Sequence, residues 1–193
     1  VLISLKEDCD LYKVSDATQV TNFECTRAGL TDFVLNESLL FAKELIAVTY
    51  FFALKSNPSD VVCFFTVSND NIKVGNLPAA RKKKFNKQIN SALHQDAYPA
   101  VKIGRLAVHS TYAGKGVGKQ MMDIIKGLFF FNNKTGCRFI TVDSDITKKT
   151  LEYYSKNGFV SIFTSDEQEA EHFNAKLPLK TKFFIYDLAN FND

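Results

Sequence analysis

One stretch constrains this chain more than any other. Tyr112-Ala113-Gly114-Lys115-Gly116-Val117-Gly118-Lys119 places three glycines between a β-branched apolar run and a long apolar stripe. The run before it, Val101 to Val108, reads as a strand. After it, Met121, Met122, Ile124, Ile125, Leu128 and Phe129 recur at helical spacing and predict a helix from about Gly118 to Phe131. Glycines at such a junction let the backbone turn tightly and approach a ligand, with amide groups pointing outward. The helix start adds partial positive charge. Together they make a site for phosphate oxygens, and they require an α/β architecture in which a strand feeds directly into a helix.

The spacing discriminates among phosphate-binding turns. A nucleoside-triphosphate loop needs G-x-x-x-x-G-K-[ST]. Counting back from Gly118-Lys119, the first position is Ala113 and the last is Gln120, which has no hydroxyl for a metal ion. The dinucleotide fingerprint G-x-G-x-x-G fails because Lys119 and Met121 stand where its third glycine belongs.

The rest of the chain supplies partners for this strand and helix. Val1 to Leu5 is an apolar start that suits a first strand, and Ser15 to Ala42 carries a mostly helical pattern through Leu30, Phe33, Val34, Leu39 and Leu40. Ile46 to Leu54 and Val61 to Val67 predict two strands joined by a turn over Ser56 to Asp60. A long connection follows from Ser68 to Pro99, with a polar helix predicted from Lys83 to Leu93. Phe139 to Val142 predicts a strand, and Thr147 to Asn157 a helix ended by Gly158. Val160 to Phe163 and Lys182 to Leu188 predict the closing strands. This alternation indicates one domain over residues 1–193 with a mixed sheet flanked by helices.

Composition narrows the function classes. Hydrophobic residues make up 46% of the 193, a globular balance. The longest strongly apolar stretch, Leu45 to Leu54, falls far short of the roughly 20 residues that span a bilayer. No secretory pattern opens the chain, so the expected compartment is the cytoplasm. Cys9, Cys25, Cys63 and Cys137 are scattered without a C-x-x-C pair, which argues against a metal site; Cys63 reads as a buried hydrophobe. The net charge of +3 is local in origin. Arg81, Lys82, Lys83, Lys84 and Lys87 crowd into one short stretch without an acid, and the remainder of the chain is net negative. Such a block is either a solvated face or a docking patch for a polyanion.

Two segments together carry a family resemblance. Gly116-Val117-Gly118 between strand and helix is similar to the [RQ]-x-x-G-x-[GA] turn of the GCN5-related N-acetyltransferases, with Ala113 where Arg or Gln is usual. Leu151-Glu152-Tyr153-Tyr154-Ser155-Lys156-Asn157-Gly158-Phe159 resembles that family's aromatic-Tyr helix ending in Gly-Phe, with Thr147 where Asn is common. The resemblance covers Tyr98 to Phe159 best. Within it, Pro99-Ala100-Val101-Lys102-Ile103-Gly104-Arg105-Leu106-Ala107-Val108 looks like the branch of toxin acetyltransferases that modify the amino acid on charged tRNA.

The resemblance implies a mixed-sheet acetyltransferase fold, acetyl-CoA as cosubstrate and an amine as acceptor. It implies that Ala113, Gly114, Lys115, Gly116, Val117, Gly118 and Lys119 hold the pyrophosphate, and that Thr147 adds a cofactor contact. Leu106, Ala107 and Val108 would align the pantetheine arm, an amide there would stabilise the oxyanion, and Tyr154 would protonate the departing thiolate. Charged tRNA at Arg81 to Lys87, an antitoxin protein and a second copy of the chain are the partners it implies. Two alternatives stay open: a small amine or protein amino group attracted by the acidic run Asp166 to Glu171, and a coenzyme A-binding module without catalysis. No base is singled out among His109, Asp143, Asp145 and Glu152. An α-amine, with a pKa of about 7.7–8.0, needs less help than a lysine.

Overall fold

A computed structural model describes residues 2–131, 133 and 136–191 of the chain. The elements run, in order, α1 (Leu5–Asp8), β1 (Cys9–Lys13), α2 (Ala28–Asp32), a π-helix (Phe33–Glu37), α3 (Ser38–Lys43), β2 (Val48–Leu54), β3 (Asn57–Lys73), α4 (Ala79–Asn86), β4 (Ala97–Val108), α5 (Val117–Phe131), β5 (Phe139–Asp145), α6 (Lys148–Lys156), α7 (Asp166–Phe173) and β6 (Thr181–Asp187). The six strands form one mixed sheet in the order β1-β2-β3-β4-β5-β6. β1 and β3 run antiparallel to β2, β5 runs parallel to β4, and β6 runs antiparallel to β5. This is the mixed sheet with flanking helices that the sequence predicts. Among the described residues no helix is long and apolar enough to cross a membrane.

The chain divides into two compact units, Val1–Ser68 with Ile103–Leu128, and Asn69–Lys102 with Phe129–Asp193. The first has a core of Val14, Phe23, Phe33, Phe51, Val61, Phe64 and Ala107. Phe64 is closed on by Phe23 edge-on at 5.2 Å and by Phe33 stacked at 6.4 Å between ring centres. Met121, Met122 and Ile125 of α5 are wholly buried, as their stripe requires. The second unit is built on Ile72, Tyr98, Phe139, Phe183 and Ile185, with Phe85 of α4 packed against them. Cys63 is fully buried, as its apolar surroundings indicate.

Several segments depart from the pattern expected of them. The start does not form a strand over Val1 to Leu5. Val1 lies outside the described residues, and Leu5–Asp8 is a helical turn whose cap, Ser4 Oγ, accepts from the Glu7 amide at 3.3 Å. The Ser4 amide in turn donates to Asp8 Oδ2 at 2.8 Å, and this reciprocal capping outweighs the apolar content of so short a run. Ser15 to Arg27 is not helical; helix begins at Ala28. β3 begins at Asn57, so the hairpin turn is shorter than Ser56 to Asp60, and β3 continues to Lys73. Pro78 sets the start of α4 ahead of the predicted Lys83, consistent with proline's preference for helix beginnings.

The segment Val160 to Phe163 makes a single bridge, Val160 to Ile185, not a strand. The acidic run that follows is instead the helix α7. Ser165 Oγ accepts from the Gln168 amide at 3.3 Å, and Gln168 Oε1 accepts from the Thr164 amide at 2.9 Å.

Candidate active site

The first unit assembles the glycine turn from β4 forward. Along β4, Ala107 is buried while Leu106 and Val108 stay partly open. Past its end the chain is tied down by three bonds. The His109 amide donates to the Val62 carbonyl at 2.9 Å, the Ser110 amide to the Glu24 carbonyl at 2.8 Å, and Tyr112 Oη to Asp60 Oδ2 at 2.9 Å. His109 is a cap here: its Nδ1 accepts from the Thr111 amide at 3.2 Å. Burial, and then the bond to the Asp60 carboxylate, push the Tyr112 phenol up to about 12.

From this fixed point the turn swings outward. Gly114 and Gly116 hold φ of 76° and 82°, values that L side chains rarely adopt, and nothing lies within 4 Å of where a Cβ would sit on either. Ala113, Gly114, Lys115 and Gly116 are exposed, whereas Val117 is buried and plugs the helix start into the core. The Gly116 carbonyl accepts from the amides of Lys119 at 3.1 Å and Gln120 at 3.2 Å, so donors for an anion come from the loop ahead of them. Lys119 Nζ folds back onto Asp123 at 2.7 Å; Gly118 is half-buried. A cleft of about 610 Å³ opens beside the turn, with Lys55, Thr111, Tyr112 and Lys115 among its walls.

Gln120 has a role the sequence did not show. Its Oε1 accepts from the Leu5 amide and its Nε2 donates to the Ile3 carbonyl, both at 2.8 Å. The residue that disqualifies a triphosphate loop is thus occupied in holding the N-terminal segment.

The second unit holds the tyrosine motif. Gly158 ends α6 at φ 79°, and a Cβ there would meet Tyr186 Cε2 at 3.2 Å, so both conformation and packing call for glycine. The Phe159 amide returns to the Tyr154 carbonyl at 3.0 Å. Tyr154 is buried, with its ring edge-on to Tyr153 at 5.2 Å and Phe159 at 5.4 Å and stacked on Phe184 at 6.3 Å. The Tyr-Tyr and Gly-Phe halves of the motif are one packed unit that fixes a phenol. Thr147 caps α6, its Oγ1 accepting from the Thr150 amide at 3.2 Å.

Among the acids, Asp143 is ion-paired with Lys102, and Glu152 lies 3.4 Å from Lys156. One carboxylate of the run Asp166 to Glu171, Glu169, differs from its neighbours. It sits in the acidic run, yet only 2% of its surface is exposed. Its Oε1 accepts from the Phe183 amide at 2.6 Å, and Lys182 Nζ lies 3.3 Å from Oε2. Burial raises its pKa above the usual carboxylate range. The capping box ahead of it was the available signal. Glu169, Asp70 and Asp143 help line a cleft of about 560 Å³, with Lys176 and Lys180 also on its wall.

Residues 63–161, just over half of the chain, match the acetyltransferase (GNAT) domain model. The chain belongs to the GNAT acetyltransferase family. No curated protein matches it in sequence. Among solved structures, a tyrosine-to-phenylalanine mutant of KacT is similar to it at 17% identity and a TM-score of 0.72, covering 95% of this chain and 96% of that one. AtaT complexed with acetyl-methionyl-tRNAfMet is 16% identical with a TM-score of 0.67, over 94% and 96%. An AtaT mutant toxin bound to the C-terminus of the antitoxin AtaR and acetyl-CoA is 13% identical with a TM-score of 0.65, over 95% of each chain. At these identities the likeness is one of fold. The chain is accordingly an N-acetyltransferase, and acetyl-CoA is the cosubstrate of that family. Its glycine turn is open: positive φ leaves free space where a side chain would stand at Gly114 and Gly116.

Two outcomes are expected. Gly116→Val should weaken acetyl-CoA binding at least tenfold in calorimetry, since a β-branched residue cannot hold this φ and the turn must rearrange. The second concerns pH. The folded protein keeps the Tyr112 phenol neutral to higher pH than the unfolded chain does. Its contribution to stability is therefore full below about pH 10 and is lost as the pH climbs towards about 12. Urea unfolding should show the advantage of the wild type over Tyr112→Phe shrinking across that interval; a constant difference would contradict it.

Proposed function

We propose that this GNAT enzyme acetylates the α-amine of aminoacyl-tRNA. The observation that carries the reading is the basic helix α4. Lys83, Lys84 and Lys87 are exposed and Arg81 partly so, and among the described residues only Lys82 of the five is ion-paired, to Asp96 at 2.7 Å. A helix face bearing unneutralised cations is suited to phosphates. The fold shared with AtaT, solved with an acetylated aminoacyl-tRNA, adds support. By the same likeness, a protein antitoxin is the proposed regulatory partner.

In this reading the amides of the Ala113–Lys119 turn other than those of Ala113 and Lys119, which bond the Ser110 and Gly116 carbonyls, grip the pyrophosphate, and the Leu106–Val108 edge of β4 aligns the pantetheine arm and directs an amide at the reacting carbonyl oxygen. Acetyl-CoA supplies an acetyl group activated as a thioester. Tyr154, immobilised by three aromatic rings, donates its phenolic proton to the leaving sulfur. Thr147, which caps α6 through its Oγ1, is the proposed further contact to the cofactor. An α-amine is partly neutral near pH 7.7–8.0, so no strong base is required.

A small cationic acceptor is the second reading, favoured by Asp70, Asp143 and Glu169 around one cleft. Transfer of labelled acetyl to a mixed pool of charged tRNA separates the two. Replacing Arg81, Lys83, Lys84 and Lys87 with Ala should cut tRNA transfer at least tenfold and flatten its salt dependence, with acetyl-CoA affinity kept. Unchanged transfer would point to the small acceptor. Tyr154→Phe should lower turnover by roughly 10²-fold or more while cofactor binding persists.

A further inference from the structure

The first unit contains a cation that the proposed roles leave unused. Arg105, on β4 one residue before the Leu106–Val108 edge, lies with its guanidinium carbon 3.8 Å from the centre of the Phe33 ring and 5.0 Å from that of Phe41. The two rings are themselves edge-to-face at 5.3 Å, and Phe33 is only 1% exposed. Arg105 is half-buried, yet among the described residues no carboxylate or carbonyl is bonded to it. Asp32, which precedes Phe33 in the chain, accepts from Asn36 Nδ2 at 2.7 Å.

The backbone beneath the rings is unusual too. Phe33 opens the π-helix Phe33–Glu37, closed by the Ser38 amide donating to the Phe33 carbonyl. Such widened turns cluster at functional sites. Here it seats Phe33 under the guanidinium, between α2 and α3.

A guanidinium within cation–π range of two rings is held in place by that attraction, and its N–H groups are left to bond an anion. Five N–H donors in one plane match two oxygens of a phosphate or carboxylate, and a half-buried, unpaired cation binds such a group more strongly than a solvated lysine does. Arg105 branches from the strand about 3.3 Å along the chain from the edge proposed to hold the thioester arm. An anion there therefore belongs near the reacting amine.

We infer that Arg105 is a specificity-determining residue, receiving a phosphodiester of the acceptor's 3′ end through its N–H edge. This inference rests on the aminoacyl-tRNA reading. It differs from the α4 patch in kind, being one oriented fork and not a field of mobile charges.

The test compares two acceptors carrying the same amine: a mixed pool of charged tRNA, and amino acid methyl esters, which have no phosphate. Arg105→Gln should raise the KM for charged tRNA roughly tenfold, the worth of a charge-assisted pair. The KM for acetyl-CoA, and turnover of the methyl esters, should stay within about twofold. Arg105→Lys, which keeps charge and stem without the planar fork, should fall between, and it supplies the reading if the Gln variant does not fold. Were both acceptors to lose equally, or neither to change, Arg105 would be a packing clamp and the inference would fail while the tRNA reading stood. Wild-type enzyme that transfers acetyl to methyl esters but not to charged tRNA would overturn the tRNA reading, and with it this role for Arg105.

Discussion

Two left-handed glycines govern how this chain leaves its fourth strand. At Gly114 and Gly116 the backbone adopts φ near +80°, and this lets β4 turn outward and α5 begin within a few residues. The constraint operates only because both flanks are immobile. Upstream, Tyr112 is bonded to Asp60; downstream, Val117 is sunk in the core and Gln120 is bonded to the N-terminal segment at Ile3 and Leu5. A loop whose amides are held ready before a ligand arrives loses little freedom on binding, which is the physical content of preorganisation.

The features legible in the sequence were those with local causes. The glycine spacing, the stripe from Met121 to Phe129, and the Tyr153-Tyr154 to Gly158-Phe159 pattern each depend on neighbours a few residues away. The structure adds why the last pattern is a unit: the Phe159 amide and ring both close on Tyr154, and Tyr186 leaves no space for a side chain at Gly158.

What was not legible depends on distant partners. The π-helix at Phe33 has no sequence signature, and its first ring packs against Phe64 and Arg105, far away in the chain. Glu169 reads as one more exposed acid until α7 turns it towards the Phe183 amide. Gln120 reads only as a missing hydroxyl until Ile3 and Leu5 meet it. In each case a tertiary contact overrides or completes a local preference, and patterns at short range carry no record of it.

The departure at Ala113 illustrates the same division between main chain and side chain. Where family members carry Arg or Gln, this chain has an exposed alanine in extended conformation, φ −62° and ψ 142°. The substitution removes a side-chain donor and leaves each amide of the turn in place. Two residues on, Lys115 is exposed at the wall of the adjoining cleft, so a positive side chain still borders the turn. A site whose grip comes from backbone geometry tolerates change at its side chains, provided the glycines that set that geometry remain. Gly114 and Gly116 are irreplaceable in that sense, because no side chain elsewhere restores a positive φ.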